Sequence, residues 1–162
     1  MARKEKTRIL FVCSGNICRS PAAEGIALHH FALYGLERKI EVDSAGLQGR
    51  YHARQAPDPR MLQAAAARGY DLGKLRARGL ETADYERFDL ILGMDESHIE
   101  AMKKACPAPL RPRLKLLLDF APETGAREVP DPYYGTQQAF EAALDLIEQG
   151  VIGLVRESTE RA

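Results

Sequence analysis

"RILFVCSGNICRSP", residues 8–21, carries an apolar run that stops at Cys13, a run of small polar residues, and then Arg19 followed by Ser20 and Pro21. An apolar run without polar alternation is the pattern of a strand buried on both faces. Ser-Pro is a helix start, with Ser20 as the cap and Pro21 at the first helical position. The stretch therefore predicts strand, turn and helix, with Cys13 at the strand's carboxyl end. In such a turn several backbone N–H groups point inward and form a nest for an anion, backed by the helix dipole. Gly15 permits a tight backbone, and Asn16 tolerates left-handed angles better than most residues.

The same alternation runs along the chain. Apolar runs at 8–13, 40–46, 88–95 and 113–120 predict strands. Helical patterns fall at 20–35, 58–69, 95–106 and 136–158, the last with Gly150 and Gly153 as weak points. Each of the first three opens on an Asp or Ser cap signal, and the first two end at glycine. The expected fold is α/β: a doubly wound, mostly parallel four-stranded sheet flanked by helices, one domain over 1–162, with a phosphate-binding loop after the first strand. Two stretches, 47–57 and 121–135, fit neither pattern and predict long loops. Parallel sheets bind ligands at the carboxyl ends of their strands. Those loops and the opening turn should gather there.

Composition narrows the function. Lysine plus arginine equal aspartate plus glutamate at 23 each, so the net charge asks for neither nucleic acid nor an anionic membrane. The basic start runs into an apolar segment too short for a signal peptide, and no later stretch would span a bilayer. A cytoplasmic protein is expected. The 3 cysteines lack zinc-finger spacing and read as free thiols in a reducing compartment.

Cys13 and Arg19 form a Cys-x5-Arg pattern around the predicted nest. A helix N-terminus and a nearby arginine favour thiolate over thiol, and a guanidinium fork holds two phosphate oxygens at once. The combination points to a sulfur nucleophile aimed at phosphorus. Such chemistry also needs an acid for the leaving oxygen. Asp131 precedes Pro132 in a polar loop, where a mobile acid would sit, although Asp-Pro is also an ordinary turn. The chemistry calls for no cofactor and no metal. His29, His30 and His98 read as helix histidines rather than ligands.

"VCSGNICRSP" (12–21) resembles the phosphate-binding signature of the low-molecular-weight protein tyrosine phosphatases, and "DPYYG" (131–135) resembles that family's acid loop. "VDSAG" (42–46), "PDPR" (57–60) and "FDLILGMDES" (88–97) extend the match over nearly the whole chain, in order. The resemblance implies a cytoplasmic hydrolase of phosphotyrosine in protein substrates, acting through a cysteinyl-phosphate. Cys13 is then the nucleophile, Arg19 the phosphate-binding arginine and Asp131 the general acid and base. Backbone N–H groups from Ser14 through Gly15, Asn16, Ile17 and Cys18 to Ser20 cradle phosphate or another oxyanion. Asn16, Ser20 and Ser44 support the loop.

Other residues carry two readings. Asp95 is either a partner near the site or the cap of the following helix. Tyr133, Tyr134 and Tyr51 are either an aromatic wall for the substrate ring or surface tyrosines. Cys18 either pairs with Cys13 under oxidation, as in several relatives, or packs as a small apolar residue, or both. Ile17 stands where relatives acting on phosphoarginine tend to carry threonine, which favours an aryl phosphate here.

One departure stands out. The family often places a histidine three residues before the arginine matching Arg78, and here that position is Leu75. Two rivals follow: an arsenate reductase-like thiol enzyme, disfavoured because only Cys106 lies outside the loop, and a catalytically silent phosphate-binding module. A monomer or weak dimer is expected.

Overall fold

The structure is a computed structural model and describes residues 6–161. The basic start, Met1–Glu5, lies outside the described residues. Nine elements carry the fold: β1 (Thr7–Cys13), α1 (Arg19–Leu33), β2 (Ile40–Gly46), α2 (Pro59–Ala67), α3 (Asp84–Arg87), β3 (Leu90–Gly93), α4 (Glu96–Ala105), β4 (Leu114–Leu116) and α5 (Gln137–Arg161). The strands form one parallel sheet in the order β2-β1-β3-β4. The chain leaves β1 to one side for β2 and returns to its other side for β3. Strand order thus reverses beside β1, and a ligand crevice opens at such a reversal.

Successive residues of β1 point to opposite faces, and both faces are covered. Ile9, Phe11 and Cys13 join a core with α1, α2 and α5, whose Phe140, Leu144, Ile147 and Val151 recur at helical spacing. Leu10 and Val12 join a second core with Tyr85, Phe88, Met102 and Leu114. Burial on both sides is why β1 is apolar without alternation.

Three features differ from the sequence expectation. The fourth strand is only Leu114–Leu116, because Asp119 Oδ2 accepts the Leu116 N–H at 3.0 Å and folds Leu117–Phe120 into a 3₁₀ turn. Gly150 and Gly153 do not weaken α5, which runs unbroken. A Cβ on Gly153 would sit 1.8 Å from the Phe120 carbonyl oxygen, so the glycine lets that turn press onto the helix. Finally, α1 begins at Arg19 with Cys18 in the cap position and no side-chain cap, so Ser20 lies inside the helix.

Candidate active site

That missing cap begins the site. The Ser20 hydroxyl is turned away from the helix end, 3.0 Å from Cys13 Sγ and 2.8 Å from Asn16 Nδ2. The N–H groups of Ser14 to Cys18 have no protein acceptor among the described residues. An uncapped helix end preceded by free N–H groups is an oxyanion cradle. The left-handed residue of the turn is Asn16, at φ 58°; Gly15 has no positive φ, and a Cβ there would lie 3.2 Å from the ring of His52. Gly46 of β2 is also required, since its Cβ would lie 2.8 Å from the Ser14 carbonyl oxygen.

Asn16 holds the turn from behind and fixes the direction of two hydroxyls. Its Nδ2 donates to Ser20 Oγ at 2.8 Å and to Ser44 Oγ at 2.9 Å, and its Oδ1 accepts the Arg78 N–H at 2.9 Å. Ser44 donates to Glu24 Oε1 at 2.6 Å, and the Ser20 hydroxyl shares a proton with Cys13 Sγ, which also receives the Ser20 N–H at 3.4 Å. Asn16 and Ser20 are buried and are not among the residues that line the cavity, so they support the loop from behind.

Arg19 is 2% exposed and aimed by both flanking segments. Its Nη1 donates to Asp95 Oδ2 and to the Val129 carbonyl oxygen, each at 2.8 Å. Asp95 is therefore both partner and helix cap: its Oδ1 accepts the His98 N–H, and its carboxyl is held below its ordinary range, the bonds from Ser97 and Arg19 outweighing burial. Nη2 of Arg19 stands 3.6 Å from Asp131 Oδ2. Asp131 itself lies in a turn, Oδ1 accepting the Tyr133 N–H at 3.1 Å, with its side chain 47% exposed.

These groups line a cavity of about 300 Å³ that includes Cys13, Ser14, Gly15, Arg19 and Asp131. Ile17, Cys18, Tyr133 and Tyr134 form further wall. Tyr133 packs edge-to-face on Tyr134, with the Arg60 guanidinium over its ring and over that of Phe140. Arg60 is held in turn by Asp58, the cap of α2. Burial, helped by the charge of Asp58, pushes the Cys18 thiol well above its ordinary pKa. A larger cavity, about 650 Å³, opens at the opposite end of the sheet, and no cysteine or histidine lines it.

Tyr51 stands apart from Tyr133 and Tyr134. It is 81% exposed and outside the cavity, and its neighbour His52 lines the wall with Gln48. The 3₁₀ turn Gly49–His52 rotates the chain so that His52, held by Gln55, faces Gly15. Leu75 packs on the core beside α1, near Gly25, and reaches none of the loop's polar groups.

Two polar residues of the site escape the sequence reading: Glu24 is not singled out, and His98 reads only as a helix histidine. Glu24 lies four residues after Ser20, one turn along the same helix face, and burial raises its carboxyl to about 7. His98 lies three residues after Asp95, in the first turn of α4. It is 1% exposed, with Nε2 3.1 Å from Ser14 Oγ and 3.4 Å from Arg19 Nη2. Burial and the Arg19 charge lower its imidazole to about 4, against the smaller opposing effects of Asp95, Asp131 and Glu128.

The family model described as low molecular weight phosphotyrosine protein phosphatase matches residues 8–162. A low molecular weight protein-tyrosine-phosphatase of Streptomyces coelicolor is 36% identical over 159 residues, 94% of this chain and 96% of that one. The crystal structure of YfkJ from Bacillus subtilis superposes with a TM-score of 0.91 at 34% identity, covering 99% of both chains. A protein tyrosine phosphatase from Entamoeba histolytica, solved with Hepes in its active site, also gives 0.91 at 34% identity, covering 96% of this chain and 98% of that one. A match of this extent, on a chain whose loop and sheet have the geometry described above, settles the question of kinship: the chain belongs to the low-molecular-weight protein tyrosine phosphatases.

Proposed function

We propose that Cys13, Arg19 and Asp131 carry out the family's reaction, hydrolysis of phosphotyrosine in proteins, in two displacements at phosphorus. The Cys13 thiolate attacks; the S–P bond forms as the bond to the phenolic oxygen breaks, and Asp131 gives that oxygen a proton. The carboxylate then takes a proton from a water, whose oxygen attacks phosphorus and returns the thiolate and inorganic phosphate. Arg19 and the free N–H groups of the loop hold the equatorial oxygens, where charge resides in a loose transition state. Ile17, Tyr133 and Tyr134 flank the aromatic ring.

One observation carries this reading: the sulfur of Cys13, 3.0 Å from the Ser20 hydroxyl and receiving the Ser20 N–H, lines one cavity with Arg19 at a helix end left without a side-chain cap. The substrate is a phosphoprotein, and the chain works as a monomer or weak dimer in the cytoplasm, needing no cofactor. Among the described residues no helix is long and apolar enough to cross a membrane. Cys18, in the wall of the same cavity, is the partner with which Cys13 forms a protective disulfide under oxidation.

The test is turnover of a phosphotyrosine peptide in reductant and chelator. Wild type is expected to be active, and Cys13→Ser to lose about 10⁴-fold or more. A wild type that is folded and binds phosphate without turnover would leave a phosphate-binding module in place of an enzyme.

A further inference from the structure

The roles assigned above make no use of His98, although its ring is buried against the oxyanion cavity and fixed from both sides. Nδ1 lies 3.1 Å from the backbone N–H of Met94 and 3.1 Å from that of Asp95. Backbone N–H groups only donate, so Nδ1 accepts from both; Asp95 Oδ1, 3.4 Å from Nδ1, is already taken by the Ser97 hydroxyl and the His98 N–H, and the proton of the neutral ring is on Nε2. Nε2 faces two neighbours, Ser14 Oγ and Arg19 Nη2. An N–H makes no hydrogen bond to a guanidinium N–H, so the Nε2 proton goes to Ser14.

Two consequences follow for the cavity. The Ser14 hydroxyl accepts from His98, and its own hydrogen has no protein acceptor among the described residues, while Ser14 lines the cavity beside Cys13 and Arg19. Arg19 Nη1 is engaged by Asp95 and Val129, whereas Nη2 lies between a ring that cannot accept from it and the Asp131 carboxylate at 3.6 Å.

We propose that His98 is a positioning residue that makes the Ser14 hydroxyl an additional donor to the bound oxyanion. The proposal rests on the cavity being an oxyanion site and adds a side-chain donor to the backbone cradle. It requires Ser14 and His98 together. The depressed imidazole pKa agrees with a ring that stays neutral in this position.

A double-mutant cycle tests it, with vanadate titrated calorimetrically into wild type, Ser14→Ala, His98→Asn and the double variant. In His98→Asn the shorter amide keeps an acceptor for the Met94 and Asp95 N–H groups and loses the reach to Ser14. Each single change is expected to weaken vanadate about five- to tenfold, the range of one hydrogen bond. The double variant should be weakened no further, because the two residues act as one unit. Losses that multiply, or a single variant that binds as wild type does, overturn the proposal.

Histidine-selective nitrogen-15 NMR on wild type reads the tautomer directly, and keeps the test alive should His98→Asn fail to fold. Nδ1 should be bare and Nε2 protonated from about pH 5.5 to about pH 8. A proton on Nδ1 in that range is the contrary result. Wild type that binds vanadate without turnover would refute the catalytic roles while the cycle still judged His98. Failure to bind vanadate at all would sink both.

Discussion

The two halves of the site are held in opposite ways. The phosphate loop is buried and tied from behind: Asn16 alone spans Ser20, Ser44 and Arg78, and Arg19 is clamped by Asp95 and Val129. The acid segment is exposed. Asp131 makes one hydrogen bond, to its own turn, and faces Arg19 at 3.6 Å, while Tyr134 is 95% exposed. What must stabilise charge throughout the reaction is preorganised, and what must give and take a proton around a substrate is left with room to move.

Changing the rigid half should be the more damaging. Arg19→Lys keeps the charge but not the fork, and kcat/KM on a phosphotyrosine peptide is expected to fall about a thousandfold. A loss under tenfold would show that the cradle does not depend on the planar guanidinium. In the mobile half, Asp131→Asn should lower kcat about a hundredfold on the same peptide. Formation of the phosphoenzyme from p-nitrophenyl phosphate, whose leaving group needs no proton, should fall much less. Equal losses on both substrates would remove Asp131 from the acid role.

The loop's anchorage should also show in stability against pH. Glu24 is raised by burial from 4.5 to about 7, so the folded state holds its proton more tightly. Its contribution is complete below about pH 4.5 and is lost as pH rises through about 7. His98 is lowered from 6.5 to about 4, so its contribution is complete above about pH 6.5 and is lost as pH falls towards 4. Glu24→Gln keeps an oxygen for Ser44 without ionising. It should match wild type near pH 4 and exceed it by up to about 3 kcal/mol near pH 8.5 in denaturant titrations. Identical curves at both pH values would mean that Glu24 is not held protonated by the fold.

The same contrast explains what was legible in the sequence. Strand, turn and helix around Cys13 were readable because apolar burial, Asn16 and Ser-Pro each leave a local mark. Cys13 and Arg19 follow from their spacing, and Asp131 from its loop and the resemblance. His98 was not readable, because a histidine in a helix's first turn resembles a solvated one until β3 brings it behind Arg19. Which of Tyr51 and His52 faces Gly15 was not readable, because one 3₁₀ turn decides between two adjacent side chains. Gly153 looked like a weakness in α5 because its need is tertiary, the close approach of Phe120.

The central claim is that Cys13 carries the phosphoryl group. Rapid acid quench during turnover of p-nitrophenyl phosphate, followed by peptide mass spectrometry, tests it most directly. The account predicts one added phosphoryl group on the peptide containing Cys13, more of it in Asp131→Asn, where the hydrolytic step lacks its base, and none in Cys13→Ser. Sustained turnover with no phosphorylated cysteine, or with the group on another residue, would contradict it.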